Sequence, residues 1–171
     1  MPELNNQNFN HLKIHTQYSI CEGAIKIDNL KDFCKEKKIP CLGLSDTSNL
    51  CGALEFAENI SKAGTQPIIG TQIYFKFEDT TGLLPLIALN ENGYKRIIEL
   101  SSRSYLENDA LSDPHLDIKE LLINVEGVSL LSGTIQGLFG KLFEKGRLEE
   151  ISKLYKSLSS KFNDNFYLEI Q

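Results

Sequence analysis

Apolar and polar positions alternate from Phe9 to His15, with His11, Lys13 and His15 on one face and Asn10, Leu12 and Ile14 on the other. A period of two predicts a β-strand and points three polar side chains the same way. Asp28 then precedes a predicted helix from Asn29 to Lys38, in which Leu30, Phe33 and Cys34 recur at helical spacing and Pro40 follows the end. The apolar run Cys41 to Ser45 reads as a buried strand. A second helix is expected from Leu50 to Lys62, burying Leu54, Ala57 and Ile60 and stopping before Gly64. Two apolar runs, Pro67 to Phe77 and Leu83 to Leu89, separated at Gly82, read as strands. Asn92-Gly93 introduces a helix through Ile97, Ile98 and Ser101, and Asn108 to Asp117 reads as a surface loop. A helix near Ile118 to Leu122, a strand Val128 to Ser132, helices Ile135 to Glu144 and Leu148 to Phe162, and a buried strand Phe166 to Ile170 complete the pattern. Strands alternating with helices predict a parallel α/β sheet or barrel.

A chain of 171 residues, 41% hydrophobic, is long enough for one globular domain, and residues 1–171 are read as one domain or a large part of one. Its 18 Lys and Arg against 23 Asp and Glu give a net charge of -5, which disfavours a nucleic-acid clamp, since gripping phosphate needs concentrated cations. If DNA is involved, other parts are expected to hold it. Cys21, Cys34, Cys41 and Cys51 form no CxxC pair, so they are read as small buried hydrophobes of a reduced, cytoplasmic protein. No apolar run reaches the roughly 20 residues of a membrane span, and Met1-Pro2-Glu3-Leu4-Asn5 carries no basic lead into an apolar stretch.

Candidate chemistry sits at strand ends. In α/β barrels functional side chains gather at the carboxyl ends of strands, and His15 and Asp46 end the first two predicted strands. Imidazole and carboxylate there would suit Zn or Mn. His11 is read as structural and His115, beside Pro114, as a surface residue. Tyr18 and Ser19 either position the loop after the first strand or are simply turn residues. Gly70 and Gly133 are read as packing or turn glycines, because neither opens a helix from a Gly-rich loop.

The wording of the segments adds a resemblance. His11-Leu12-Lys13-Ile14-His15-Thr16-Gln17-Tyr18-Ser19, followed by Glu22-Gly23-Ala24, resembles the HLHxHSxYS…DGA opening of the PHP domain in the bacterial DNA polymerase III alpha subunit. Leu44 to Phe56 resembles that family's TDHGNLxGAxEF motif, Pro67 to Tyr74 its KPIIGxExY strand, Leu86 to Tyr94 its LLAxNxxGY stretch, and Leu130 to Gly133 its LLSG. The resemblance implies a distorted (β/α)7 barrel, incomplete at the C-terminus because the chain stops on a strand.

It also implies a site. His15 stands at the second histidine of the HxH pair, Asp46 at the aspartate of TDH and Glu55 at a family acid. Lys13, Thr47 and Thr134 stand where ligands are lost, in place of a histidine, a histidine and a cysteine. An ammonium has no lone pair for a metal and repels a cation beside it, so no cofactor is expected in this segment, and Lys13 is expected to pair with Asp46 or Glu55 instead. The implied role is a structural module of the polymerase alpha chain that docks the proofreading exonuclease subunit, with DNA held and synthesis performed by other domains. The alternative is a working metal-dependent phosphoesterase using Zn or Mn, either a 3′–5′ exonuclease or a phosphatase.

Overall fold

Residues 9–109 and 111–170 are described by the computed structural model. Met1–Asn5, read above for targeting signals, lies outside them, as do Ala110 in the predicted surface loop and Gln171. The helices are α1 (Ile27–Lys37), α2 (Ala53–Lys62), α3 (Glu91–Leu106), α4 (Ile118–Ile123), α5 (Leu138–Glu144) and α6 (Leu148–Phe162). The strands are β1 (Cys41–Thr47), β2 (Gln66–Phe77), β3 (Thr80–Ala88), β4 (Leu116–Asp117), β5 (Val128–Leu131) and β6 (Phe166–Tyr167). Among the described residues no helix is long and apolar enough to cross a membrane.

The fold is mixed α/β, and the expected all-parallel arrangement is corrected. The sheet runs β1-β2-β3-β5-β6, with β4 added to β2, and it is not closed among the described residues. β1 pairs parallel with β2, but β2 pairs antiparallel with β3, and β3 antiparallel with β5. The reason is the connection: only Glu78 and Asp79 separate β2 from β3, and a crossover needs a dozen residues or more. Glu78 takes the left-handed conformation that so tight a hairpin turn requires. β2 is long enough to pair β1 along Gln66–Gln72 and β4 at Phe75–Lys76.

Side-chain period places two apolar clusters. One packs Ile27, Leu30 and Cys34 of α1 and Phe56 and Ile60 of α2 against Leu42 and Leu44 of β1. The other packs α3, α4, α5 and α6 on Ile73, Phe75, Leu84, Leu86, Val128 and Leu130 of the sheet. Each fully buried Leu, Ile or Phe contributes roughly 1.5–3 kcal/mol. The buried face of α2 departs from expectation: Ala53, Phe56 and Ile60 point inward while Leu54 is 72% exposed. The helix starts at Ala53 because Asn49 Oδ1 accepts the Cys51 amide at 3.0 Å and keeps residues 49–51 in a turn. The inward positions fall one residue earlier at Ala53 and Phe56, while Ile60 is buried as expected.

Capping explains other boundaries. Asn90, two residues before the predicted start, caps α3 by accepting the Gly93 amide at 3.0 Å, and Asp117 caps α4 through the Lys119 amide at 2.9 Å. Asp28 lies inside the first turn of α1 rather than ahead of it, where its charge favours the helix dipole. Arg96 of α3 is buried and reaches the far end of α4, donating to the carbonyls of Glu120 and Asn124 while pairing with Glu99. Of the four cysteines expected to be buried, Cys34 is buried and Cys41 half-buried, but Cys21 and Cys51 are exposed because both sit in turns. The final predicted strand is also corrected: only Phe166 and Tyr167 pair with β5, and Tyr167, Leu168 and Ile170 are exposed.

Candidate functional site

Residues 9–15 do not form the regular strand predicted for them. They lie alongside β1 through the Ile14 amide to Gly43 O (3.0 Å), the Ser45 amide to Ile14 O (2.8 Å) and the Gly43 amide to His11 O (2.7 Å). Only an Ile14–Leu44 bridge has ladder geometry, so the strict alternation lapses. His11 turns aside and packs edge-on to Phe9, whereas Lys13 and His15 face a cleft of about 310 Å³.

That cleft receives Lys13, His15 and Thr134 from the predicted set, together with Gln72, Tyr74 and Lys141. Lys13 Nζ lies 2.7 Å from Glu169 Oε1, which corrects the expected pairing with Asp46 or Glu55. Asp46 is fully buried with its oxygens accepting bonds from Thr16 and Ser19, and Glu55 accepts the Tyr18 hydroxyl. His15 Nδ1 is buried without a hydrogen-bond partner. Thr134 Oγ1 accepts the Gln136 amide at 3.2 Å. Lys141 Nζ donates to Thr81 O at 3.0 Å and stands 5.7 Å above the Tyr74 ring. Burial, reinforced by the Glu22 and Asp113 carboxylates, raises the Tyr74 phenol, which therefore keeps its proton at neutral pH.

The other predicted residues, Asp46, Thr47 and Glu55, do not line the cleft; each holds the loop of residues 16–22. Asp46 Oδ1 accepts the Thr16 amide at 2.6 Å and Ser19 Oγ at 2.7 Å, and Oδ2 accepts Thr16 Oγ1 at 2.7 Å. The Thr47 amide donates to Ser19 Oγ at 3.0 Å; its hydroxyl donates to Glu22 and accepts Gln72 Nε2 at 2.7 Å. Glu55, in the first turn of α2, accepts the Tyr18 hydroxyl at 2.6 Å, a bond that raises the Tyr18 phenol. Gly23 closes the loop so tightly that a Cβ there would lie 2.0 Å from Thr16 O. Gly70 likewise permits close packing, since its Cβ would meet Leu86 O at 2.5 Å.

These donors do not fit a divalent metal ion. Among the described residues no three His, Cys, Asp or Glu side chains converge to hold one. Lys13 supplies an ammonium, and three of the roughly four Asp46 lone-pair sites face hydrogen-bond donors. Among these donors, His15 Nδ1 is buried without a hydrogen-bond partner. Gln72 and Glu22 join the site beyond the expected ligand positions, and the motifs carry both: Gln72 stands at the glutamate of KPIIGxExY and Glu22 at the aspartate of DGA. Lys141 had no such signal, because its place depends on how α5 crosses the sheet.

A mixed α/β sheet with its polar cleft beside the segment after His15 is the class of domain that fold and site define. The chain belongs to the PHP domain family, whose family model matches residues 11–171. It is 36% identical to the DNA polymerase III subunit alpha of Caulobacter vibrioides over 184 residues, covering 100% of this chain and 16% of that protein. It is 35% identical to the corresponding subunit of Rickettsia felis over 164 residues, covering 95% of this chain and 14% of the relative. The chain thus spans only a small part of these relatives' length, and the resemblance drawn from its motifs holds. Among solved structures, an amidohydrolase from Chromobacterium violaceum aligns at 13% identity and a TM-score of 0.43, covering 86% of this chain and 54% of the other.

Proposed function

We propose that this chain is the PHP module of a DNA polymerase III alpha subunit in which the metal site is retired and the module serves as structure and as a dock for the proofreading exonuclease subunit. Asp46, Glu55 and His15 are then vestigial ligand positions, and Lys13, Thr47 and Thr134 lost ones. DNA binding and nucleotidyl transfer belong on this reading to other domains of the same cytoplasmic protein. The observation that carries the metal-free part is the state of the donors: a lysine ion-paired in the cleft and an aspartate with both oxygens committed to a loop. The docking part rests on the likeness to polymerase alpha subunits.

One observation favours the second reading, a metal-dependent phosphoesterase: a buried imidazole nitrogen without a partner, as at His15, is what a vacated ligand leaves behind. Elemental analysis of the full-length protein, purified without chelator, decides between them. The metal-free reading expects neither Zn nor Mn in stoichiometric amount and no phosphatase or 3′–5′ exonuclease activity; near-stoichiometric metal with either activity overturns it. Docking is tested by measuring exonuclease-subunit binding to the full-length protein and to a form lacking this module, and equal affinity for both overturns that part.

A further inference from the structure

We infer that Asp46, Thr47 and Glu55 form a rack that fixes the shape of the 16–22 loop, and that Asp46 is its central positioning residue rather than a spare metal ligand. The inference rests on the metal-free reading and deepens it by assigning the inherited positions a present task.

Each of the three positions grips a different part of one loop. Asp46 holds its start, through the Thr16 amide and hydroxyl and through Ser19 Oγ. Thr47 holds the middle and the end, through Ser19 Oγ and Glu22. Glu55 holds Tyr18 between them. Tyr18 and Ser19 therefore position the loop, which settles the choice the sequence left open.

Asp46 has no exposed surface, and Lys13, the counter-charge expected for it, is engaged by Glu169. A buried carboxylate without a cation persists only if its oxygens are satisfied by donors, and charge-assisted bonds of 2.6–2.7 Å are the strong kind. Gly52 lies beside Oδ2 and the Tyr18 ring: a Cβ there would lie 3.4 Å from the one and 2.6 Å from the other, so only glycine leaves the Tyr18 ring its place. Three of the roughly four lone-pair sites of Asp46 are thus used on the loop, both on Oδ1 and one on Oδ2. Glu22, at the loop's end, borders the cleft, so the rack also fixes one wall of the cleft.

The test uses the full-length protein and follows amide hydrogen exchange across residues 16–23, with α6 as an internal control. In Asp46→Asn, an amide of the same shape, exchange across 16–23 is expected to accelerate by about tenfold or more while α6 is unchanged. Thr47→Val, which keeps the volume and removes the hydroxyl, is expected to accelerate exchange at the end of the loop and serves as the readout if Asp46→Asn does not fold. Unchanged exchange in Asp46→Asn, or in Thr47→Val where that variant is the readout, sinks the rack and leaves the metal-free reading standing. Zn or Mn in the unmodified protein is a different result, which overturns the metal-free reading itself.

Discussion

Lys13 Nζ and Glu169 Oε1 stand 2.7 Å apart across 156 residues of chain, joining the segment beside β1 to the segment after β6. These are opposite margins of an open sheet, and no backbone ladder joins them among the described residues. The side chains are only 17% and 14% exposed. Such a pair falls between an exposed bridge, worth about 0–1 kcal/mol, and a buried one, whose breaking costs about 3–5 kcal/mol. Lys13→Met is therefore expected to lower stability by about 2 kcal/mol by chemical denaturation. A double-mutant cycle with Glu169→Gln checks the assignment, because a coupling near zero would show that the two charges act independently.

The 16–23 loop offers a steric test. A Cβ at Gly23 would lie 2.0 Å from Thr16 O, a backbone atom that cannot swing aside. Gly23→Ala is expected to cost about 1–3 kcal/mol, the range for overpacking. Thermal melting checks it; wild-type stability would mean that the loop adopts another shape.

The hairpin turn between β2 and β3 carries a pH signature. The Arg147 guanidinium, bonded to Asp79 across the surface, holds its carboxyl at about 2 against an ordinary 3.8. A depressed folded-state value means the contribution is whole above the unfolded value and vanishes as pH falls through about 2. The melting-temperature gap between the unmodified protein and Asp79→Asn should thus hold steady from neutral pH to about 4 and close towards pH 2. Both groups are solvent-accessible, so the gap is small and shrinks in salt. A gap that widens on acidification contradicts the pairing.

The two faces of α2 predict opposite outcomes. Phe56 is fully buried, so Phe56→Ala is expected to destabilise by about 3–5 kcal/mol. Leu54 projects into solvent, so Leu54→Ala should fall within about 0.5 kcal/mol of wild type. Denaturant midpoints of the two variants check the register; the reverse order would restore the inward Leu54 expected from periodicity.

That contrast shows where the sequence was legible. Helical spacing located α1, α2 and α3 to within a few residues, because an apolar stripe must meet the sheet wherever the helix lies. It mistook the inward face of α2 because the Asn49 turn, a side-chain hydrogen bond, decides where the helix begins. Parallel topology was expected from alternation, yet the direction of β3 depends on a two-residue connection that apolar runs do not reveal. Motif wording brought His15, Lys13 and Thr134 to one cleft. It could not tell that Asp46, Thr47 and Glu55 serve the loop, since that depends on which donors reach them first. Glu169 was out of sight because an ion pair spanning 156 residues leaves no local pattern.

Arg96 has a consequence for α4. A helix of six residues is far below the length that sustains itself in water, so α4 exists on credit from its surroundings. Asp117 secures its beginning, while its closing carbonyls are met by a guanidinium from α3 rather than by its own chain. Lysine would keep the charge at position 96 but lose the planar fork that spans two carbonyls and Glu99 together. The sense in which residues 118–123 encode a helix is therefore incomplete without a side chain more than twenty positions upstream; here a unit of secondary structure belongs to two stretches of sequence at once.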